Sequence, residues 1–370
     1  MTTETASDEK RVDLVFEGGG VKGIGLAGAF SYLDEQGFKP QRVAGTSAGA
    51  ITAALVAAGY SGQELQSLVL EEMKFKSFED GGRWPWSQAL ELRVHKGLHP
   101  GKYFESWMRE RLEEKGVTKF GQLRVASADG AGGGAADGGA GDGDDGAGGE
   151  QYKLQVIASD ITEQRMLVLP RDAEEHLGLD PDELEIAAAV RMSMSIPIFF
   201  DPVVYHDPRN PHDQRLIVDG GLLSNFPVWL FDSPPGQVPR WPTFGLLLVA
   251  PNQRAPLVLG DAPERTDEGK VSILGFLMAI GHTMMEAHDR LYVEQANYAR
   301  TIPINTLGVQ TTQFSIDDDP QLKRKLYDSG RDAAAEFLKT WDFNAYIKTF
   351  RQGDQPTRRQ RVAAAMKEHA

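Results

Sequence analysis

Two short apolar segments near the start of the chain each run straight into a small-residue turn and then into a helix. Residues 12–16 (VDLVF) lead into E-G-G-G, after which Ile24, Leu26, Ala27, Phe30 and Leu33 recur at helical spacing until Gly37 ends the run. Residues 42–45 lead into G-T-S-A-G (45–49) and an alanine-rich helical stretch over 48–58, closed by Gly59. Strands separated by whole helices return in the same direction, so this β-loop-α-β-loop-α order calls for parallel pairing. A parallel sheet has to be covered on both faces. The predicted fold class is therefore α/β, with a mainly parallel central sheet.

Further along, residues 61–115 read as mostly helical, interrupted by G-G-R-W-P-W and K-G-L-H-P-G. Strand-like segments follow at 123–126 and 152–158, with a hairpin partner at 165–169. After a helix over 181–192 come the apolar segment 196–204 and strands at 215–218 and 243–249. The last is an almost continuous apolar run, as a buried central strand requires. Helices are expected over 270–299 and 319–350. Between the strands at 123 and 152 lies an insert, 129–150, with 11 Gly, 5 Ala, 5 Asp and 1 Glu in 22 residues. That composition builds no core and predicts a solvated loop within one domain. The expected organisation is a flexible start over 1–10, one domain over 11–350 and a basic tail over 351–370.

With 370 residues and a formal net charge of −14, the chain has a sizeable core but no basic excess to neutralise nucleic-acid phosphates. It has no cysteine, which removes thiolate metal sites and disulfides, and no cofactor or metal is expected. The opening residues lack a signal pattern, and no run approaches the ~20 apolar residues of a membrane span. The expectation is a cytoplasmic protein, with peripheral membrane attachment open to it.

The glycine loop Gly18-Gly19-Gly20-Val21-Lys22-Gly23 admits three uses. A dinucleotide fingerprint needs an acidic residue at the end of the second strand, and that position reads Ala44-Gly45-Thr46-Ser47. A Walker-type loop needs Ser or Thr after the lysine, but Lys22 is followed by Gly23. The third use, a row of bare N–H groups beside a helix N-terminus, suits a developing oxyanion and gives Ser47 a purpose. On its own G-T-S-A-G is equally a strand–helix turn or a nucleophile elbow, with Gly45 and Gly49 leaving room around Ser47.

A serine nucleophile needs a base. Of the eight histidines (95, 99, 176, 206, 212, 282, 288, 369), only His282 and His288 fit a Ser–acid–His order, and both fall in an apparent helix. Asp219 is the better candidate. It ends the apolar strand Leu216-Ile217-Val218 and is followed by Gly220 and Gly221, and strand C-termini are where α/β sheets handle ligands.

E-G-G-G-V-K-G, G-T-S-A-G and D-G-G within V-D-G-G-L-L-S-N-F-P, with A-V-R-M-S-M-S-I-P-I-F-F-D-P-V (189–203) upstream of the aspartate, resemble the patatin-like phospholipases in spacing and order. The resemblance implies a three-layer α/β/α sandwich and a lipid acyl hydrolase using a Ser–Asp dyad without histidine. It makes Ser47 the nucleophile and Asp219 the base. Gly18, Gly19 and Gly20 become oxyanion donors, with Ala48 contributing from the helix start. Glu17 stands where plant members carry Asp, a difference given no weight. The implied partner is a lipid at a membrane or micelle surface. Three features offer contacts to such a surface, each with an ordinary alternative: the Trp84-Pro85-Trp86 loop as rings packed on the domain, the apolar segment 272–285 as a core helix, and the basic tail as a solvated end. The alternatives are a non-catalytic lipid-binding protein on the same fold and a conventional Ser-His-Asp esterase.

Overall fold

The computed structural model describes residues 10–79, 97–125, 152–210, 212, 214–233, 237–251 and 295–351. The insert, the Trp84-Pro85-Trp86 loop, segment 272–285, His95, His282, His288, His369 and the tail beyond Arg351 lie outside the described residues. The strands are β1 (Lys10–Phe16), β2 (Phe38–Thr46), β3 (Gly97–His99), β4 (Leu154–Asp160), β5 (Arg165–Leu169), β6 (Ile198–Phe200), β7 (Val203–His206), β8 (Gln214–Asp219), β9 (Thr243–Val249) and β10 (Thr301–Asn305). The helices are α1 (Ile24–Glu35), α2 (Ala48–Ala57), α3 (Gly62–Ser67), α4 (Lys102–Glu114), α5 (Ile186–Ser193), α6 (Gln295–Tyr298), α7 (Pro320–Thr340) and α8 (Phe343–Phe350).

One sheet runs in the order β10-β9-β1-β2-β4-β8-β7, with β5 also paired to β4, and β3 pairs with β6 apart from it. From β10 to β4 every pairing is parallel, whereas β8, β7 and β5 are antiparallel additions. β1 sits in the parallel part and is buried from Val12 to Phe16. Its alternate residues supply two cores. Leu14 and Phe16 join the large cluster that includes Leu26, Phe30 and Leu33 of α1 and Leu326 and Tyr327 of α7. Val15, with Ala44 of β2 and Leu247 of β9, packs on Phe226, Val228 and Phe231. Period-two alternation between these covers makes the three-layer α/β/α sandwich, the architecture expected from the β-loop-α repeat.

The structure departs from the predicted elements in three places. Of the strand expected over 123–126, residues 123–125 form none, and 126 lies outside the described residues. A 3₁₀ turn (Phe120–Leu123) is followed by a single bridge from Arg124 to Tyr152. The helix expected from 181 starts only at Ile186, because the backbone before it pairs with a neighbour: Phe120 N–H donates to Leu184 O (3.1 Å) and Ile186 N–H to Thr118 O (2.9 Å). β10 has no counterpart among the predicted elements, and its T-I-P-I-N carries a proline. Its place at the sheet edge, paired to β9 alone among the described residues, tolerates the missing donor.

Candidate active site

β4 acts as a ruler for the site. Its one edge is occupied by β5 along residues 156–160. Its other edge is shared by two strands arriving from opposite directions. β2 pairs there as far as Thr46 opposite Ile157, and β8 ends with Asp219 opposite Ala158. The two strand ends thus meet at consecutive residues of β4. Ser47, next after Thr46, is thereby brought to Asp219 although 172 positions separate them in the chain.

Ser47 takes φ 53° and ψ −124° between β2 and α2. A side-chain-bearing residue adopts that conformation at a cost of about 1–3 kcal/mol, so the surroundings must hold it. They do so from both sides. Ser47 N–H donates to Ser193 Oγ (2.9 Å), and Ser47 O accepts from Ala50 N–H (2.9 Å). The elbow is also closely packed. A Cβ on Gly49 would stand 2.2 Å from Phe16 O, and one on Gly45 would stand 2.3 Å from Gly49 O, so only hydrogen fits at either place.

Asp219 is fully buried, and Ser47 is 1% exposed. Asp219 Oδ1 accepts from Gly221 N–H (2.7 Å), and its backbone N–H donates to Ser195 O (2.9 Å). Gly220 packs on the β4 backbone, where a Cβ would lie 2.2 Å from Ile157 O. Burial pushes the Asp219 carboxyl up to about 7, opposed by the Ser47 hydroxyl and the Gly221 N–H, which favour its charged form. Ser47 Oγ and Asp219 Oδ2 are both buried, and neither has a hydrogen bond of ordinary geometry among the described residues, close as the hydroxyl is to the carboxyl. Of the described histidines, none hydrogen-bonds to either residue; His176 faces Arg165, and His99 lies against Phe199.

The glycine loop leaves β1 beside the elbow, and a Cβ on Gly18 would come within 3.2 Å of Ser47 Cβ. Gly18 was expected among the oxyanion donors, but its N–H donates to Asn225 O (3.0 Å) and has nothing left to give. Val21 N–H is likewise taken, by Thr311 O (3.0 Å). The N–H groups of Gly19, Gly20 and Ala48 have no protein acceptor among the described residues. Gly23 packs on Ala48, a Cβ there lying 3.0 Å from the Ala48 methyl. Lys22 is half-buried, and its side chain folds back over Gly19.

Several buried polar residues around the site escaped sequence reasoning. Ser193 and Ser195 touch the two candidate catalytic residues, and Arg191 steadies their segment by donating to Pro100 O (2.7 Å) and Asp201 O (3.0 Å). Two serines alternating with methionines in an otherwise apolar run (M-S-M-S) were the available signal. Glu17, at the position where plant members carry Asp, accepts from Leu248 N–H (2.5 Å) and from Asn225 Nδ2 (3.2 Å) and so does bear on the site.

A strained Ser elbow facing a buried aspartate, on a mainly parallel sheet between helical layers, defines the protein as an α/β/α chain with a Ser–Asp site. The family model for patatin-like phospholipases matches residues 14–232, and the chain belongs to that family. At the level of the family the activity is lipid acyl hydrolysis. The uncharacterized protein YqhO of Bacillus subtilis is 35% identical over 337 residues, covering 90% of this chain and 99% of its own. Among solved structures, VipD from Legionella pneumophila is similar at 18% identity and a TM-score of 0.43, over 90% of this chain and 67% of that one. ExoU from Pseudomonas aeruginosa, in complex with SpcU, is similar at 17% identity and a TM-score of 0.43, over 90% of this chain and 53% of that one. The chain thus spans about half the length of ExoU.

Proposed function

We propose that this protein is a serine lipid acyl hydrolase, of the phospholipase A or lysophospholipase type, in which Ser47 is the nucleophile and Asp219 the only base. The observation that carries the reading is the meeting of β2 and β8 on β4, which brings Ser47 to a carboxylate that titrates near neutrality. A base works best when its pKa lies near the working pH, and an ordinary aspartate would hold the serine proton too weakly.

Ser47 Oγ attacks the ester carbonyl of the lipid while its proton passes to Asp219. The carbonyl oxygen, now negative, is met by the N–H groups of Gly19, Gly20 and Ala48 at the positive end of α2. Collapse breaks the bond to the lipid alcohol, which leaves with the proton from Asp219, and an acyl-enzyme remains. Water then attacks the acyl carbon and gives a proton to Asp219. The second collapse returns that proton to Ser47 Oγ and frees the fatty acid. The substrate is a lipid presented at a membrane or micelle surface, and among the described residues no helix is long and apolar enough to cross a membrane.

A fluorophosphonate probe should label the wild type but neither Ser47→Ala nor, at a useful rate, Asp219→Asn. Mass spectrometry of a mixed lipid extract should show fatty acid released only by the wild type. An unlabelled wild-type serine would favour the non-catalytic lipid-binding alternative, and full labelling of Asp219→Asn would remove the dyad.

A further inference from the structure

We infer that Asn225, anchored by Glu17, is the positioning residue that aims the Gly19 N–H at the oxyanion; the inference rests on the acyl-hydrolase reading above. Three hydrogen bonds join Asn225 to the start of the glycine loop. Its carbonyl accepts from Gly18 N–H (3.0 Å), and its Nδ2 donates to Gly18 O (3.1 Å) and to Glu17 Oε1 (3.2 Å). Glu17 is in turn fixed to β9 through Leu248 N–H (2.5 Å) on its other oxygen. Both side chains are buried, at 8% and 7% exposure, where an unmet donor or acceptor is costly.

The consequence follows from the planarity of the peptide group. Gly18 C=O and Gly19 N–H belong to one rigid unit and point in opposite directions. Holding Gly18 O against Asn225 Nδ2 therefore turns the Gly19 N–H away from Asn225. A peptide flanked by glycines on both sides is free to rotate, so without that bond nothing in the loop's own sequence sets its direction. The amide orientation of Asn225 is itself forced, because a carboxylate and a carbonyl, both acceptors, require the NH₂ end to face them. Its Oδ1 is left against Gly18 and has no partner among the described residues.

Asn225 also belongs to the segment that carries the base. Ser224 N–H donates to Gly220 O (2.9 Å), and Ser224 O accepts from Thr46 Oγ1 (3.0 Å), just before the elbow. One stretch from Asp219 to Asn225 thus sets the base at one end, touches the nucleophile's strand in the middle and aims a donor at the other end.

The test compares wild type with Asn225→Asp, which keeps the shape but turns the donor into an acceptor, and Asn225→Ala, which removes the donor without adding charge. The readouts are the rate of fluorophosphonate labelling at Ser47, kcat and KM for a short-chain p-nitrophenyl ester from pH 5 to 9, and the thermal midpoint. A misdirected oxyanion donor should lower kcat and the labelling rate by ~10²–10³-fold, leaving KM and the position of the acidic limb unchanged. A folded Asn225→Asp that labels at the wild-type rate overturns the inference. So does a loss appearing only as a shifted acidic limb, which would place the effect on Asp219, or only in KM. Should Asn225→Asp fail to fold, Asn225→Ala is judged on the same outcomes. A wild type that is not labelled would instead overturn the hydrolase reading itself.

Discussion

Asp219→Asn should destroy activity and yet stabilise the fold, by an amount that depends on pH in a definite way. In the unfolded chain Asp219 ionises near 3.8; in the fold burial moves that to about 7. Below pH ~4 both states carry the proton and the residue costs nothing. Between the two pKa values the unfolded chain has lost its proton while the fold keeps it, so stability falls as pH rises. Above about pH 7 both states are ionised, and the cost stays at its full value of roughly 4 kcal/mol. Asparagine has no proton to lose and keeps an oxygen for Gly221 N–H. Urea unfolding at a series of pH values should therefore show Asp219→Asn more stable than wild type by about 2–4 kcal/mol at pH 8, the gap closing toward pH 4. In parallel, wild-type kcat/KM for an ester should climb about tenfold per pH unit up to pH ~7 and then level off. A stability difference that ignores pH, or an activity limb below pH 5, would refute the reasoning, since either would mean that Asp219 titrates like a solvated carboxylate.

Two further substitutions probe how the elbow is held. Because Ser47 sits at φ 53°, Ser47→Gly should be more stable than Ser47→Ala by about 1 kcal/mol in urea melts, and equal midpoints would mean that the turn stores no backbone strain. Ser193→Ala leaves the buried Ser47 N–H without its acceptor. It should cost about 1–3 kcal/mol and slow probe labelling, with Ser193→Thr recovering part of both.

Much of the fold could be read from residue spacing because burial imposes it. Residues 243–249 read as a buried strand because a short, almost continuous apolar run calls for cover on both faces, and β9 occupies those positions, buried from Thr243 to Leu248. β1 and the helix after it followed from the same logic. The glycines of the elbow were legible for a related reason: a backbone approach as close as Gly49 to Phe16 O admits no other residue and so leaves a mark in the sequence. The short pieces were not legible. The turn at 120–123 and the delayed start of α5 depend on hydrogen bonds between segments more than 60 residues apart, which no local pattern encodes.

By itself the sequence determined the α/β class, the elbow, the glycine loop and a suitable aspartate at a strand end, because each is written in contiguous residues under local steric or burial constraint. That these parts belong to one site was already implied by the resemblance to the patatin-like phospholipases, and the tertiary structure supplies the geometry that brings them together. β8 had to enter antiparallel and end one residue beyond β2 along β4, a register set by pairing and packing across the whole sheet. It also decided which backbone donors remain. Gly18 looks identical to Gly19 in the chain, but its N–H faces Asn225 O and is taken, while the N–H of Gly19 meets no acceptor among the described residues. A hydrogen bond between residues 207 positions apart is a fact of three-dimensional proximity, and glycine carries no side chain in which the sequence could record it.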